Sequence, residues 1–401
     1  MNLRAGYPFG LVKNGLPFDY PKLEKDIKTE VLIMGGGISG ALAAHYLIRE
    51  GIECAVVDAR SIGLGSTCAS TSLLQYEIDV PLHKLISLIG NNNAIKAYTL
   101  CEQAIFRLKT LAEEVGLKKF SLKKSLYYAA HKKDIPFLQH EYEARKKAGF
   151  KVKYIDGKNM FDEFGFTAPG TILSDTAAVT DAYLLTHYLF QYNMKRGLTV
   201  YDRTPVISIQ HHAKDVRLKI KNGHTITAGK LVYATGYEVL NYIHEPIVKL
   251  HSTYAVISES FSEAPRFGKY DGVIWNTADP YLYLRTTADR RIIIGGRDEI
   301  FFSPGKRDKL ITAKARQLKK DFNKLFPDKP FNTEFSWTGI FGSTKDGLPF
   351  IGPYKPLPNS YFALGFGGNG ITFSQVAGEI IADLLKKKRN KNVSIFSFER
   401  I

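Results

Sequence analysis

The spacing of apolar and polar residues predicts a β-turn-α-β unit near the start of the chain. Residues 30–34 form a short apolar run that suits a buried strand. Apolar side chains then recur at helical spacing over 38–50, and Gly51 ends that pattern. A second apolar run over 54–58 ends in Asp58. Because a helical crossover joins parallel strands, this pattern predicts a parallel sheet.

Further along, the same patterns predict a mixture of helices and short strands. Residues 1–29 are predicted to be an irregular arm and 82–148 mostly helical. Short strands are predicted over 200–232, with a hairpin turn at Asn222-Gly223, and alternating strands over 250–300. The remaining predicted helices cover 181–196, 306–326 and 370–388. With 401 residues, this predicts an α/β protein, α+β overall, of two or three domains.

The composition adds one unusual feature, a formal net charge of +16. Residues 118–153 hold eleven Lys and Arg against three Asp and Glu. Such a segment could attract nucleic acid, a membrane surface or an acidic partner. We favour a solvated lysine-rich surface, because no zinc-finger spacing or RNA-binding aromatic signature accompanies the charge, and nucleic acid is therefore an unlikely partner.

Features of the N-terminus and of the cysteines predict the compartment. The first fifteen residues contain no apolar stretch of signal-peptide type, and no apolar run reaches the ~20 residues of a membrane span. Three cysteines, Cys54, Cys68 and Cys101, cannot form a disulfide framework. We therefore expect a cytoplasmic protein without a transmembrane segment.

The glycines between the two predicted strands carry the first chemical motif. Gly35, Gly37 and Gly40 match GxGxxG, and Asp58 lies 18 residues beyond the last of them. In this context the glycines permit a tight turn, a close approach of a pyrophosphate and close helix packing. Backbone N–H groups at the helix start would face the phosphates, and Asp58 would accept hydrogen bonds from a ribose diol. The motif predicts a dinucleotide site but does not distinguish FAD from NAD.

Three more segments contain small or hydroxylated residues that could contact parts of a dinucleotide other than the groups bound by the first motif. The segment 60–72 is rich in hydroxyls and follows Asp58 directly, and a predicted strand over 231–236 ends in Ala-Thr-Gly. A second glycine-rich helix start lies at 364–372, far from the first. Because one dinucleotide has only one pyrophosphate, this second start should serve another electron-rich group, such as an isoalloxazine ring.

Taken together, these segments resemble the D-amino-acid-oxidase-like family of FAD-dependent oxidoreductases, and most closely its gamma-glutamylputrescine oxidase branch. The similarity is spread over 31–58, 65–72, Val206, 234–236, 292–296, 337–352 and 365–385. It implies a Rossmann-like FAD domain built from 1–85, 170–238 and 334–401. It also implies a substrate domain from 86–169 and 239–333, on a mixed or antiparallel sheet.

The resemblance also implies which residues contact the cofactor and how it is held. Some relatives attach flavin through a histidine in the 65–72 region, whereas this chain has Cys68 and Ala69 there, so non-covalent FAD is expected. The implied cofactor residues are Gly35, Gly37, Ile38, Ser39, Gly40, Asp58, Ala59, Arg60, Gly65, Ser66, Thr67, Ala69, Ser70, Val206, Ala234, Thr235, Gly236, Gly367, Gly368, Asn369, Gly370, Ile371 and Thr372.

The implied reaction is oxidation of a C–N bond in an amine or amino-acid-like substrate, with hydride transfer to flavin N5 and oxygen or an electron carrier as acceptor. Relatives that oxidise amino acids carry an arginine for the substrate carboxylate about where this chain has Phe341, which puts a simple amino acid in doubt. A 2-hydroxy-acid or glycerol-phosphate-type dehydrogenase remains an alternative, because four arginines lie close together over 285–297. A flavin-binding component of RNA modification or assembly is the alternative from another class.

The substrate-facing candidates come from the strands over 250–285. Tyr281, Tyr283 and Arg285 share one face if the strand is regular, and Arg285 could bind a distal carboxylate or form a structural ion pair. His251 is the fourth candidate, and it points away from Tyr254, three residues on. No cluster with metal-ligand spacing is present, so no metal site is expected.

Overall fold

Two β-sheets with helices packed around them organise the chain. The structure is a computed structural model that describes residues 1–301, 303–364 and 367–400. The strands in these ranges are β1 (Arg4–Gly6), β2 (Ile27–Met34), β3 (Cys54–Val57), β4 (Leu73–Gln75), β5 (Phe120–Tyr128), β6 (Val152–Asp156), β7 (Gly170–Thr180), β8 (Thr199–Tyr201), β9 (Val206–His211), β10 (Val216–Ile220), β11 (Thr225–Tyr233), β12 (Lys249–Ser258), β13 (Gly272–Asn276), β14 (Tyr283–Thr286), β15 (Ile292–Glu299), β16 (Thr333–Ser343), β17 (Phe350–Pro353) and β18 (Ser360–Leu364).

The helices lie between these strands and at both ends of the chain. They are α1 (Phe9–Asn14), α2 (Ile38–Arg49), α3 (Leu82–Ile89), α4 (Asn91–Glu114), α5 (Ile135–Lys147), α6 (Met160–Phe164), α7 (Ala182–Met194), α8 (Pro304–Lys309), α9 (Ile311–Leu325), α10 (Gly370–Leu385) and α11 (Val393–Phe396). Within the described ranges, none of them combines the length and the apolar character that crossing a membrane requires.

The smaller sheet confirms the predicted β-turn-α-β unit. Its strands run in the order β17-β18-β11-β2-β3-β8, and β9 and β10 form an antiparallel extension from β11. β2 pairs in parallel with β3 and with β11, as expected for strands joined by crossovers. All four residues of β3 and the last four of β2 are buried, which explains why both read as continuous apolar runs.

The larger sheet is mixed, and its centre is the antiparallel series predicted over 250–300. Its order is β1-β16-β12-β15-β14-β13-β5-β7-β4, with β6 also paired to β7. β12, β15, β14 and β13 are neighbours in antiparallel pairs, whereas β13 pairs with β5 in parallel. The sheet therefore matches the mixed or antiparallel sheet that the resemblance implied.

Several elements differ from the sequence-based prediction because their partners are distant in the chain. The arm over 1–29 contains β1, which pairs with β16 more than 300 residues away, and α1. The predicted helical region 82–148 contains β5, whose lysine-rich first half carries no strand pattern. The two short strands predicted within 225–232 are one strand, β11, that continues through Gly229.

The sheet pairing also assigns some segments differently from the implied domain boundaries. β1, β4, β7 and β16 all fall in segments expected in the FAD domain, yet they belong to the larger sheet. Conversely, α4 was expected in the substrate domain, but it packs with α3 and α10 in the core beside the smaller sheet. The apolar face of α4, including Tyr98, Ile105 and Leu108, is buried in this core, and α4 also contacts β4, β5 and β7 of the larger sheet.

Candidate active site

The turn between β2 and α2 depends on two glycines, Gly35 and Gly40, at which a side chain would collide with the backbone. Gly35 has φ +119°, and a side chain there would collide with the Ala234 carbonyl at the end of β11. A side chain at Gly40 would collide with the Gly35 carbonyl, so Gly40 permits the close packing of α2 on its own turn. The first turn of α2 is thereby placed at the carboxyl ends of the parallel strands.

A cavity of about 360 Å³ extends from this turn in both directions. Asp58 and Val206 lie on its wall beside the smaller sheet, and Tyr281 and Tyr283 lie on its wall beside the larger sheet. The other residues expected at the cofactor that line it are Gly35, Gly37, Ile38, Ser39, Ala59, Arg60, Gly65, Ser66, Thr67, Ala69, Ser70, Ala234, Thr235, Gly236, Gly367, Gly368, Gly370 and Ile371.

Three expected cofactor residues lie off the cavity wall and support it from behind. Gly40 is part of the helix packing just described. Asn369 donates a hydrogen bond from Nδ2 to the Gln75 carbonyl (2.9 Å), and Thr372 Oγ1 donates to the Asn369 carbonyl (2.9 Å). Both side chains are buried, so they fix the start of α10 instead of facing a ligand. Residues 365 and 366 of the same glycine-rich segment lie outside the described residues.

The carboxylate of Asp58 is held rigidly at the end of β3. Its two oxygens accept hydrogen bonds from the backbone N–H groups of Gly36 (2.7 Å) and Arg60 (2.8 Å). Burial raises the pKa of Asp58, and these two hydrogen bonds act in the opposite direction. The guanidinium of Arg60 is engaged by Glu238 through two hydrogen bonds, 3.0 and 2.6 Å long. Asp58 is thus oriented to accept from a diol on the cavity side.

The hydroxyl-rich loop that follows Asp58 leaves polar atoms available to a ligand. Thr67 Oγ1 accepts from the Ile38 N–H (3.0 Å) and so ties the loop to the start of α2. Ser66 Oγ and Thr235 Oγ1 are buried, lie on residues of the cavity wall and have no hydrogen-bond partner among the described residues. Buried hydroxyls are nearly always hydrogen-bonded, so these two atoms fit an oxygen-rich ligand.

At the end beside the larger sheet, the cavity wall is aromatic and acidic. Tyr281, Tyr283, Phe341 and Asp298 line it. Oδ1 of Asp298 is buried without a hydrogen-bond partner among the described residues. Burial raises the pKa of Asp298 to about 6, and the nearby carboxylates of Asp79 and Asp279 contribute to this.

Asp79 lies directly behind this end and joins two walls of the cavity. Its carboxylate accepts from the Gly368 N–H (2.9 Å) and from the Tyr281 hydroxyl (3.3 Å). Burial raises the pKa of Asp79 as well. The sequence analysis missed Asp79 and Asp298. The available signal for Asp298 was an acid near the end of an apolar strand, as in Asp58, whereas the neighbourhood of Asp79 contains no comparable pattern.

Two substrate-facing candidates lie elsewhere, which corrects the expectation for them. His251 is beside Ser343, with Nε2 3.0 Å from Ser343 Oγ, and Thr253 occupies the cavity wall in its place. Arg285 is on the far side of the 67–72 loop and donates from Nε to the Thr71 carbonyl (2.6 Å). Residues two apart on a strand point to the same face, but they lie about 7 Å apart along the strand. His251 and Arg285 are each two residues away from a residue on the cavity wall, Thr253 and Tyr283, and this distance places both side chains beyond the cavity.

Among the described residues, the only lysine or arginine on the cavity wall is Arg60, already paired with Glu238. Phe341, expected where related amino-acid oxidases have an arginine, is on the cavity wall. The described residues contain no cluster of His, Cys, Asp and Glu that could hold a metal ion. Within the part of the chain that the structure describes, the acidic end of the cavity therefore has no cationic side chain to receive a carboxylate.

Comparison with known families is consistent with a dinucleotide cavity of this shape. The sequence model of the family described as DAO, FAD dependent oxidoreductase, matches residues 30–384. The chain belongs to this family. It is therefore an FAD-dependent oxidoreductase, and FAD is its cofactor.

Individual relatives are distant but span nearly the whole chain. The chain is 24% identical over 386 residues to a putative Rieske 2Fe-2S iron-sulfur protein, YhfW, of Bacillus subtilis (strain 168), covering 95% of this chain and 73% of that protein. It is also 24% identical over 385 residues to gamma-glutamylputrescine oxidoreductase of Escherichia coli (strain K12), covering 92% and 86%. The crystal structure of glycine oxidase from Geobacillus kaustophilus superposes with a TM-score of 0.79 at 20% identity, covering 93% and 99%, and shares the fold.

The cavity fits FAD in shape and in chemistry. The start of α2 suits the pyrophosphate, because its N–H groups and dipole favour negative charge. Asp58 suits the ribose, and the unpartnered hydroxyls of Ser66 and Thr235 suit further oxygens of the cofactor. The residues at the start of α10 remain our prediction for the flavin end.

Substitution of Gly37 by alanine should weaken FAD binding without unfolding the protein. Gly37 has φ −88°, which alanine adopts freely, and its added Cβ would approach only Thr67 Oγ1, at 2.8 Å. The methyl group would nevertheless occupy the space through which a pyrophosphate reaches the backbone. We expect at least a tenfold rise in the Kd for FAD, measured by fluorescence titration of the apoprotein. Gly305→Ala, at an exposed glycine with open space around it, should leave the Kd unchanged; equal Kd values for both variants would contradict this role.

Proposed function

We propose that this FAD-dependent oxidoreductase oxidises the C–N bond of a small amine that binds as a cation and carries no carboxylate next to the reacting carbon. The observation that carries the proposal is the unpartnered carboxylate oxygen of Asp298 on a cavity wall that has no free cationic side chain among the described residues. An ammonium group would supply the missing hydrogen bond and the missing charge. Bound FAD supplies the two-electron chemistry by accepting a hydride.

The residues at the acidic end would prepare the amine for oxidation. Asp298 would hold the ammonium group and take one proton from its nitrogen, because a carboxyl with a pKa of about 6 is mostly ionised near pH 7. The neutral amine can then lose hydride from the carbon bonded to nitrogen, which leaves an iminium ion. Water would convert this ion to a carbonyl compound and ammonia or a smaller amine. Tyr281, Tyr283 and Phe341 would exclude bulk water and orient the carbon chain.

The alternative of a 2-hydroxy-acid or glycerol-phosphate-type dehydrogenase has less support from the geometry. Such substrates need cationic groups in the cavity, and the four arginines over 285–297 are engaged elsewhere. Arg297 donates to Asp321 (2.7 Å), Arg291 pairs with Glu334, and Arg290 donates to the Ser262 carbonyl. Arg285 is on the far side of the 67–72 loop.

The hypothesis of an RNA-modifying or assembly component rests only on the basic segment 118–153. Its lysines are distributed over β5, α5, β6 and the segments that flank them, and three of them form ion pairs with aspartates. An oxidoreductase of this family needs no such role to explain its cavity. The electron acceptor, oxygen or a carrier, stays open in this proposal.

An anaerobic flavin assay tests the proposal directly. The holoenzyme is mixed, without oxygen, with a panel of primary and secondary amines, diamines, α-amino acids and 2-hydroxy acids, and absorbance near the long-wavelength flavin band is followed. We expect bleaching by an amine or diamine and at least tenfold slower bleaching by the matching α-amino acid. Bleaching by a hydroxy acid alone would contradict the proposal. Air admitted after bleaching would distinguish oxygen from a carrier as the acceptor.

A further inference from the structure

A second cavity, of about 550 Å³, lies on the other side of the 67–72 loop from the first. Thr67 and Ser70 line both cavities, and Trp337 stands between them with its Nε1 donating to the Ala69 carbonyl (2.8 Å). The side chains of the second cavity differ sharply from those of the first. Seven are cationic against three aspartates: Lys13, Lys118, Lys119, Lys123, Arg266, Lys269 and Arg285.

Arg285 forms the buried part of this wall and has an unusual set of partners. Only 8% of the residue is exposed. Its guanidinium donates to two backbone carbonyls, Thr71 (2.6 Å) and Thr286 (3.1 Å), and Nη2 has no hydrogen-bond partner among the described residues. No carboxylate of the described chain lies within 4 Å, although Asp181 and Asp289 act on it from further away. Burial lowers the pKa of Arg285 to about 10, so the group stays charged at neutral pH.

Burial of a cation without a paired anion raises the free energy of the folded state, and proteins normally offset this desolvation penalty with a counter-charge. The rest of the wall does not provide one for Arg285. Four of the lysines have carboxylate partners: Lys13 with Asp289 (2.9 Å), Lys119 with Asp181 (4.0 Å), Lys123 with Asp271 and Lys269 with Glu163 (2.8 Å). Lys118 and Arg266 are exposed, and within the described part of the chain neither has an ion-pair partner. The cavity therefore holds three cations whose charge is not neutralised by a contact: one on the buried wall and two nearer the solvent.

We propose that this second cavity binds a small oxyanion ligand, a multiply charged phosphate or carboxylate, with Arg285 as its anchor. The guanidinium presents a free N–H group to such an oxyanion, and an anion with two or more charges can contact Arg285 and the outer Lys118 and Arg266 together. A volume of about 550 Å³ holds a small molecule rather than a protein segment. This site is independent of the amine chemistry proposed above.

The site is also placed to influence the cofactor. Arg285 contacts the carbonyl of Thr71, and Thr71 lines the FAD cavity on the other side of the loop. A bound oxyanion that draws the guanidinium toward it would alter the loop against the cofactor. We therefore expect oxyanion binding to be visible as a change in the absorbance or fluorescence of bound FAD, in addition to the heat of binding.

Calorimetric titration of the holoenzyme tests the proposal, with pyrophosphate as the phosphate probe and citrate as the carboxylate probe. FAD must be bound, so that its own pyrophosphate site is filled. Ionic strength is kept constant with sodium chloride, which removes general screening effects. We expect saturable binding of at least one probe with a stoichiometry of one, and the tighter probe identifies the class. The flavin spectrum should change along the same binding curve.

Three variants separate an anchored site from a diffuse basic surface. Arg285→Gln, which can still donate to the Thr71 carbonyl, should weaken binding of the probe at least tenfold while FAD content stays at one per chain. If this variant loses FAD, the double variant Lys118→Ala/Arg266→Ala decides, because both residues are exposed; it should weaken binding at least threefold. Lys96→Ala, at an exposed lysine on neither cavity wall, should have no effect. Absence of saturable binding by both probes, or equal affinity in all variants, would overturn the proposal.

Discussion

Replacing Asp298 by asparagine should lower kcat/KM for the amine substrate about 10- to 100-fold. A hydrogen bond between ionised partners contributes about 1.5–3 kcal/mol, and each 1.4 kcal/mol corresponds to a factor of ten. Asparagine has nearly the same shape and can still accept from Thr253, so FAD binding and folding should persist. The measurement is steady-state or stopped-flow reduction of the bound flavin by the best amine from the panel.

The dependence on pH distinguishes this role from a merely structural one. The folded-state pKa of Asp298 is raised to about 6, chiefly by burial and further by Asp79 and Asp279, while Thr253 and Lys314 lower it. Below about pH 6 the carboxyl becomes neutral and no longer attracts a cation. In the wild-type enzyme kcat/KM should therefore rise with pH up to about 6. This acid limb should be missing in Asp298→Asn.

A matched control separates the local charge from the net charge of the chain. Asp328→Asn makes the same chemical change at an exposed aspartate beyond α9, and kcat/KM should stay within twofold of the wild type. If Asp298→Asn behaves like this control, or keeps the acid limb, then Asp298 does not bind the amine. The proposal of a cationic substrate would then lose the observation that carries it.

The parts of the fold that were predicted from sequence are those in which local residues determine the structure. β2, α2 and β3 are buried on both faces or along one helical stripe, so their residues carry a continuous or periodic apolar signal. Between them, a side chain at Gly35 would collide with Ala234 and one at Gly40 would collide with Gly35. Only glycine fits at these positions, and the sequence shows this as the GxGxxG motif. The same reasoning explains why most residues expected at the cofactor do lie on the cavity wall.

The parts that were missed depend on contacts between distant segments. β5 carries two lysines and a serine before its buried half, and its structure comes from pairing with β7 and β13. Arg285 shares a strand with Tyr283, but the 67–72 loop crosses between them, and strand periodicity contains no information about that loop. Asp79 meets Tyr281 and Gly368 only because three remote segments converge.

Replacement of Arg145 by alanine should destabilise the protein by about 3–5 kcal/mol, because it would leave buried carboxylates without their cation. Arg145 is fully buried and donates to Glu141 (2.6 Å) and Glu77 (3.3 Å). Glu141 in turn accepts from the N–H groups of Leu82 and His83 (3.0 Å each). Burial alone would raise the pKa of Glu141, but Arg145 and His83 hold that pKa below its ordinary value.

Urea denaturation of the holoenzyme, followed by circular dichroism, measures this loss. Lys147→Ala on the same helix is exposed and should change the unfolding free energy by no more than about 0.5 kcal/mol. The double variant Arg145→Met/Glu141→Gln removes the charge of Arg145 and that of Glu141, its nearer carboxylate partner, while the amide oxygen can still accept from one of the two N–H groups, that of Leu82 or that of His83. It should therefore be more stable than Arg145→Ala, because the penalty arises mainly from the carboxylate left alone and less from the loss of attraction. If the double variant is less stable than the single one, the ion pair itself contributes the stability, and the explanation by an uncompensated charge is wrong.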